Sequence, residues 1–328
     1  MPIMLKLLIV KTSSLGDVIH NLPIINDINN HYPNAIIDWV VEESFAEIPR
    51  MHTRVNHVIP IALRHWRKHL LDKNTWREIS AFKRLITANH YDAIIDTQGL
   101  LKSALITSQA KGVKHGYDQQ SIREPLASYF YNRKYAVSYQ QHAVIRNRTL
   151  TALSLGYAPP DTSPDYGIEA PATSLELPRP FVIALHGTSR DSKLWPTDHW
   201  ITLGKSLAEH GLNMILPWAS KAELNRANQI AQALPNACVL AKSSIATLAA
   251  VIAQSQAAVG VDTGLSHLAA ALNKPIVAIY TDTNPALTGV MAGTLTPAIN
   301  LGGIKLTPSP QEVFKTLLPL IENKNYSK

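Results

Sequence analysis

Cysteine and long apolar runs are scarce in this 328-residue sequence, and each absence excludes a class of protein. The single cysteine, Cys238, excludes an internal disulfide and suits a reducing cytosol. No apolar run reaches the ~20 residues that a bilayer-spanning helix needs. The first residues do not resemble a signal peptide, because charged Lys11 and Asp17 flank an apolar run that is too short. We therefore expect a cytoplasmic protein without a membrane-spanning helix.

The two common glycine fingerprints of nucleotide-binding proteins are also missing. Neither G-x-G-x-x-G nor G-x-x-x-x-G-K-[ST] occurs in the chain. Their absence disfavours a dehydrogenase and a P-loop ATPase, even though the chain opens with a buried strand and a polar turn.

Positive charge is in excess, and the excess is local. The net charge is +7 and the isoelectric point is about 9.3, which fits an anionic ligand, an acidic membrane surface or nucleic acid. The segment 102–148 holds eight lysines and arginines against Asp118 and Glu124, a net of +6. A local excess favours a defined anionic partner. The aromatic residues of this segment match no nucleic-acid signature, so we expect no DNA or RNA.

Short aliphatic runs alternate with helical patterns along the whole chain, which predicts an α/β protein with parallel sheets covered by helices. The length suggests two domains, and proline-rich stretches over 158–165 and 171–180 place the boundary between 1–170 and 171–328. A single helix is predicted over about 18–30, and another over 309–323. Strands are predicted over 7–10, 36–41, 93–96, 181–185, 213–217, 257–261 and 275–280.

Polar turns follow two of the strands in the second half. Asp262, Thr263 and Gly264 lie between the strand over 257–261 and a helix over 266–272. This turn lies at the carboxyl edge of a parallel sheet, where ligands bind. Backbone N–H groups at the helix start favour a phosphate, and glycine permits a close approach. The alternative is that Asp262 and its neighbours only cap the helix.

The turn over 186–196 follows the strand over 181–185. Its small hydroxyl residues, Thr188 and Ser189, together with Arg190 and Lys193, suit a diphosphate. Farther on, Glu223 either begins a helix without further role or accepts hydrogen bonds from a ribose. Its position alone does not separate the two.

Two features of the first half carry similar alternatives. Asp17 ends a polar turn after the first strand, so it either caps the next helix or serves as a carboxylate for proton transfer. Arg64, Arg67 and Lys68 surround Trp66. They form either a solvated helix face with one buried ring or an anion-binding patch.

Four motifs follow one another along the chain: KTSSLGDVIH over 11–20, DTQGLLKS over 96–103, the turn over 186–196, and DTGLSH over 262–267. Together they resemble the ADP-heptose glycosyltransferase family over nearly the whole chain. The family's third motif usually reads His-Ala-Thr-Thr, whereas this chain has His186-Gly187-Thr188-Ser189, which keeps the hydroxyls.

The resemblance implies the GT-B fold, in which two Rossmann-like domains face a central cleft. The N-terminal domain would bind the acceptor and the C-terminal domain ADP-heptose, with the helix over 309–323 returning to the first domain. The implied reaction transfers L-glycero-D-manno-heptose, with inversion, from ADP-heptose to the inner Kdo of Kdo2-lipid A. No cofactor and no essential metal are expected. The implied enzyme is a monomer, peripheral to the cytoplasmic face of the inner membrane.

The resemblance also implies residue roles. Asp17 is expected as the catalytic base, and Lys193 as the group that stabilises the departing diphosphate. His267 is expected either to touch the phosphate or heptose or to be structural. The residues expected to bind the nucleotide sugar are Thr188, Ser189, Lys193, Glu223, Asp262, Thr263, Gly264 and His267. The residues expected to bind the acceptor are Arg64, Arg67, Lys68, Lys102, Arg123 and Arg146.

Two further classes stay open at this point. Another sugar-nucleotide enzyme of the same fold, with a different acceptor or an epimerase activity, would not act on Kdo2-lipid A. A non-catalytic lipid A binding protein would keep the cations but would not need Asp17 or Lys193.

Overall fold

The computed structural model describes residues 4–323 of the chain. The chain divides into two compact units, Met1–Ile168 and Glu169–Lys328. This division falls close to the boundary predicted after residue 170.

The first unit is built on one parallel six-stranded sheet with the strand order β3-β2-β1-β4-β5-β6. Its strands are Lys6–Val10 (β1), Ile36–Glu42 (β2), Val55–Ile61 (β3), His90–Asp96 (β4), Lys111–Tyr117 (β5) and Arg133–Tyr135 (β6). Its helices are Leu15–Ile19 (α1), Pro23–His31 (α2), Glu47–Arg50 (α3), Leu63–Trp66 (α4), Lys73–Thr87 (α5), Leu101–Gln109 (α6) and Ala143–Leu155 (α7).

The second unit repeats this plan with the strand order β12-β11-β10-β7-β8-β9, again all parallel. Its strands are Phe181–Leu185 (β7), Asn213–Leu216 (β8), Ala237–Val239 (β9), Ala257–Val261 (β10), Ile276–Tyr280 (β11) and Ala298–Gly302 (β12). Its helices are Thr197–Glu209 (α8), Lys221–Gln232 (α9), Ile245–Gln254 (α10), Gly264–Ala271 (α11), Pro285–Thr288 (α12) and Pro310–Glu322 (α13).

The prediction of an α/β protein with two Rossmann-like sheets is confirmed. In each sheet the chain order reverses beside the first strand of the unit, between β1 and β4 and between β7 and β10. Ligands of such sheets bind at this switch point, beyond the carboxyl ends of the strands. Strands β7, β10 and β11 are buried along their whole length, because helices cover both faces of a parallel sheet.

The helix predicted over 18–30 is wrong as a single element. The structure has α1 and α2 instead, with Pro23 in the first turn of α2. Proline lacks the N–H that a helix interior needs, but the first turn has no use for that donor. The break therefore falls where proline is tolerated, and α1 is left as a short helix directly after the first polar turn.

Helix α13 matches the helix predicted near the C-terminus. Its Val313 and Leu317 are fully buried in the hydrophobic core of the second unit. Its return to the first domain stays a prediction. No helix within residues 4–323 is both long and apolar enough to cross a bilayer.

Arg148 has a structural role, so its charge does not add to the unpaired positive charge of the segment 102–148. Its guanidinium donates to both carboxylate oxygens of Asp27, at 2.7 and 2.9 Å, and to the Thr162 carbonyl at 2.6 Å. The side chain is only 2% exposed. The ion pair with Asp27 joins α7 to α2. The bond to the Thr162 carbonyl joins α7 to the segment that leads out of the first unit.

We expect Arg148→Met to lower the free energy of unfolding by ~3–5 kcal/mol, because it leaves the Asp27 carboxylate buried without a partner. Chemical denaturation measures the loss. The matched control is Arg133→Met, since Arg133 is exposed and should change stability by less than ~0.5 kcal/mol. Equal unfolding midpoints for the two variants would show that the pair does not hold the unit together.

Candidate active site

Two polar turns are joined side by side at the switch point of the first sheet. Gln98 Oε1 accepts hydrogen bonds from the backbone N–H groups of Thr12 and Ser13, both at 3.1 Å. The Lys11 ammonium donates to the Thr97 carbonyl at 2.9 Å. The turn after β1 is therefore held against the turn after β4. We call the residues at these strand ends the first-unit edge.

Asp17 lies on this edge, in the first turn of α1. Its Oδ2 accepts hydrogen bonds from the Ser14 N–H at 2.7 Å and from the Ser14 hydroxyl at 2.9 Å. Asp17 therefore does have the capping role that was one of its two predicted roles. Both bonds converge on one oxygen, and within residues 4–323 the Asp17 carboxylate accepts no other hydrogen bond. Its Oδ1 is therefore left to accept a proton. The side chain is half-buried.

Buried and fixed cations surround Asp17. Burial lowers the pKa of Lys11, while the nearby carboxylates of Asp17 and Asp96 oppose this shift. Lys102 donates to the Ser13 hydroxyl at 2.7 Å. Partial burial lowers the pKa of Lys102 as well, and Arg64 lowers it further. The carboxylates of Glu42 and Asp17 oppose this shift. Lys102 and Arg64 therefore belong to the same edge as Asp17.

Arg64, Arg67 and Lys68 are all exposed and together line a pocket of about 370 Å³. They are not one face of a long helix, because α4 ends at Trp66. The Arg64 backbone N–H donates to Glu42 Oε1 at 3.0 Å, and its guanidinium lies 5.2 Å from the Phe45 ring centroid. The three cations therefore converge on a concave surface.

Arg146 is held in place by two aromatic rings. Its guanidinium lies 4.6 Å from the Tyr117 centroid and 4.3 Å from the Tyr139 centroid, and it donates to the Ser121 carbonyl at 2.7 Å. Stacking of this kind suits the planar guanidinium. Arg146 and the exposed Arg123 both lower the pKa of Lys11, which places them within electrostatic reach of the first-unit edge.

Asp96 organises this edge, a role that was not predicted from the sequence. It is fully buried and accepts hydrogen bonds from the Gln98 and Gly99 N–H groups and from the Tyr131 hydroxyl. Burial raises its pKa, and these hydrogen bonds oppose the rise. Gly99 adopts φ +66°, a conformation that favours glycine. A carboxylate at a strand end before Thr-Gln-Gly was the available signal.

A second group of polar turns meets at the switch point of the second sheet, and Asp262 is its centre. Asp262 Oδ2 accepts from the Lys193 ammonium and from the Thr283 hydroxyl, both at 2.6 Å. Its carbonyl accepts from the Thr188 hydroxyl at 2.9 Å. The side chains of Lys193 and Asp262 are each 12% exposed. We call the residues at these strand ends the second-unit edge.

The N-terminus of α11 is open on this edge. Thr263 precedes the helix in an extended conformation, and its side chain makes no capping hydrogen bond. The Asp262 carboxylate points to Lys193 and Thr283 instead. The alternative that Asp262 and its neighbours only cap this helix is therefore wrong. The first N–H groups of the helix, at Gly264 and Leu265, are the ones that an anion can use.

Glu223 is a capping residue with an unusual neighbour. Its Oε2 accepts from the N–H groups of Ala219 and Ser220, at 2.6 and 3.1 Å. A Cβ on Gly187 would lie 2.7 Å from Glu223 Cδ, so the glycine in place of the family's usual alanine leaves room for this carboxylate. Beside them, burial lowers the pKa of His186 to about 4, and Glu223 opposes that shift.

The remaining predicted residues of the second-unit edge differ in their exposure to solvent. Ser189 is exposed, whereas His267 is buried in α11 and has an interaction partner. The turn after β11 was missed by the sequence analysis. It supplies Thr283, and its Asp282 accepts from the Ser192 hydroxyl at 2.6 Å. Polar residues directly after an apolar strand were the signal.

Comparison with known proteins agrees with this architecture. Residues 79–313 match the model of glycosyltransferase family 9 (heptosyltransferase). Lipopolysaccharide heptosyltransferase 1 of Escherichia coli K12 is 48% identical over 289 residues, which cover 87% of this chain and 90% of that protein.

Two solved structures are similar over almost the whole chain. The E. coli heptosyltransferase WaaC with ADP has a TM-score of 0.88 and 43% identity, covering 96% of this chain and 99% of that one. The same enzyme with ADP-2-deoxy-2-fluoro heptose has a TM-score of 0.84 and 43% identity, covering 95% and 98%. On this evidence, the chain belongs to glycosyltransferase family 9, the heptosyltransferases.

Proposed function

We propose that this glycosyltransferase moves L-glycero-D-manno-heptose from ADP-heptose to the inner Kdo of Kdo2-lipid A, with inversion. The observation that carries the proposal is the chain-wide similarity to a heptosyltransferase solved with ADP and with an ADP-heptose analogue. The chemistry of the two edges supports it. The enzyme acts as a monomer at the cytoplasmic face of the inner membrane and takes no nucleic acid partner.

The second-unit edge binds the donor. A lysine ammonium has three hydrogens, so Lys193 can keep its bond to Asp262 and still donate to a diphosphate. Thr188, Ser189 and the N–H groups of Gly264 and Leu265 add neutral donors. Asp262 acts through Lys193, since a free carboxylate would repel the diphosphate. Thr263 sets the backbone before the helix, Glu223 faces the ribose, and His267 supports α11.

Stabilising the leaving group is the main electrostatic task at this edge. Heptose transfer passes through an oxocarbenium-like transition state in which negative charge grows on ADP. Donors that are already fixed in place stabilise that charge without reorganising. Lys193, fixed by Asp262 and shielded from water, meets this requirement together with the dipole of α11. We therefore propose that no metal and no cofactor are needed.

The first-unit edge binds and activates the acceptor. Asp17 is the base that removes the proton from the attacking Kdo hydroxyl, and Ser14 orients it through Oδ2. Arginine suits carboxylates and phosphates because its planar fork donates two parallel hydrogen bonds. The cations that would meet the Kdo carboxylates and lipid A phosphates are Arg64, Arg67, Lys68, Lys102, Arg123 and Arg146.

Asp17→Asn is expected to lower turnover ~10²–10⁴-fold with little change in ADP-heptose binding, because the amide keeps the size but cannot accept the proton. The measurement follows ADP release and the mass of a Kdo2-lipid A analogue, which the wild type should make heavier by one heptose. The control Asp92→Asn removes an exposed carboxylate from the start of β4 and should leave turnover unchanged. Near-normal turnover in Asp17→Asn would remove Asp17 from the mechanism. No heavier product from the wild type would overturn the proposed function itself.

Lys193→Ala should lower kcat by a factor of ~10²–10³, on the order of one lost donor to the developing charge. Asp262→Asn leaves the ammonium in place but less firmly held, so its loss should be smaller. Lys205→Ala, an exposed change on α8, is the control. EDTA should leave wild-type activity intact. Activity that vanishes with EDTA and returns with Mg²⁺ would contradict this division of labour.

The triple variant Arg64→Ala, Arg67→Ala, Lys68→Ala should raise the acceptor KM on the order of a hundredfold, with ADP-heptose affinity unchanged. The wild-type acceptor KM should rise with NaCl, because salt screens exposed contacts beyond ~8–10 Å, and the triple variant should show a shallower rise. A control that changes Lys111, Lys205 and Lys315 to alanine removes the same charge from other exposed sites. Equal KM values and parallel salt slopes for the two triple variants would move the acceptor site to Lys102, Arg123 and Arg146.

A further inference from the structure

The connection between α4 and α5 presents large apolar side chains to solvent. Leu71 is fully exposed at 101%, and Leu70 and Trp76 are exposed at 52% and 56%. We call these three residues the apolar tip. Exposed leucines are common singly, but an exposed cluster that includes a tryptophan indicates a surface that is covered by something else.

The apolar tip has a fixed shape. The Trp76 indole N–H donates to the Leu70 carbonyl at 2.8 Å, which closes the connection. Behind it, Trp66 is buried, donates to Glu78 at 2.8 Å and packs on Phe82 at 5.9 Å between ring centroids. The tip is therefore held outward by a buried anchor and does not result from a loose loop.

Positive charge surrounds the apolar tip. The segment 64–84 contains seven lysines and arginines against Asp72 and Glu78, a net of +5. The two carboxylates are engaged, since Asp72 caps α5 and Glu78 accepts from Trp66. Lys73 and Lys83 share the helix face of Trp76, at spacings of three and seven residues. Their long stems can extend past an apolar layer to keep the ammonium in water.

We propose that the apolar tip inserts into the surface of an anionic lipid bilayer, with the surrounding cations on the headgroups. Tryptophan and leucine flanked by lysine and arginine are the residues that occupy a membrane interface. The charge favours an anionic surface over a neutral one. The inference rests on the proposed function, because Arg64, Arg67 and Lys68 directly precede the tip, and a lipid acceptor would be presented there by the bilayer that the tip enters.

The test uses vesicles of phosphatidylglycerol and phosphatidylcholine without any Kdo2-lipid A, in a sedimentation assay with the full chain. The wild type should bind, and Leu70→Ser with Leu71→Ser should weaken partitioning at least ~10-fold. Leu295→Ser is the matched control, since Leu295 is exposed at 67% in the second unit, and it should bind as the wild type does. Pure phosphatidylcholine vesicles should bind weakly.

Trp76 itself reports the insertion. The other five tryptophans are buried or partly buried, so lipids brominated on their acyl chains should quench mainly Trp76, and Trp76→Phe should remove the quenching. Absence of quenching in the wild type, or equal sedimentation of the double-serine variant, would overturn the proposal. So would binding that appears only when the vesicles contain Kdo2-lipid A. A dimer that dissociates in the double-serine variant would assign the tip to a second copy instead.

A deacylated, water-soluble acceptor separates this inference from the proposed function. The double-serine variant should use it with an unchanged kcat/KM, because the tip would then have nothing to enter. Failure of the wild type to use it would count against the proposed function, whatever the vesicles show. A loss of kcat/KM on this acceptor in the double-serine variant would overturn the membrane role of the tip.

Discussion

The point at which the strand order reverses is the constraint on which the rest of the structure depends. In both sheets the first strand of the unit lies beside the fourth, and both end at the same edge. The two turns that follow those strands must therefore meet. In the first unit Gln98 joins them, and in the second Asp262 does so through Thr188 and Lys193. Residues 69 to 86 positions apart are thereby brought into hydrogen-bonding distance by the topology.

Within these edges, the charged groups are held before any substrate arrives. Lys193 is fixed by Asp262, Lys102 by Ser13, and Arg146 by two tyrosine rings. Each contact removes freedom from a long side chain, so less entropy is lost when an anion binds. At the Lys193–Asp262 pair, the carboxylate also offsets the charge of the ammonium, so the substrate meets less net charge there. The donors are thus fixed in position in advance, and the total charge at the edge is kept low. This is expected where negative charge develops only in the transition state.

The sequence predicted the parts of this structure that depend on local pattern. Aliphatic runs followed by polar turns located β1, β7, β10 and β11, and with them Asp17, Lys193 and Asp262. The sequence could not predict which side chains pair with one another when the partners are distant in the chain. Arg148 looked like one more surface cation, because its partner Asp27 lies 121 residues away. Asp262 was predicted either to bind the nucleotide sugar or to cap a helix, because nothing local shows that its carboxylate accepts hydrogen bonds from Lys193 and Thr283. The exposure of Leu70 and Leu71 has no local signal either, because an apolar pair in a sequence is ordinarily taken as buried.

The central claim is that the two edges divide the work, the donor at the second unit and the acceptor at the first. Hydrogen exchange followed by mass spectrometry tests this directly, because it reads protection segment by segment. With ADP-heptose alone, we predict slower exchange over 186–196 and 262–265 and little change over 11–17 and 64–68. A Kdo2-lipid A analogue alone should give the opposite pattern. Protection of the first-unit segments by ADP-heptose, with 262–265 unchanged, would contradict this assignment of donor and acceptor to the two units.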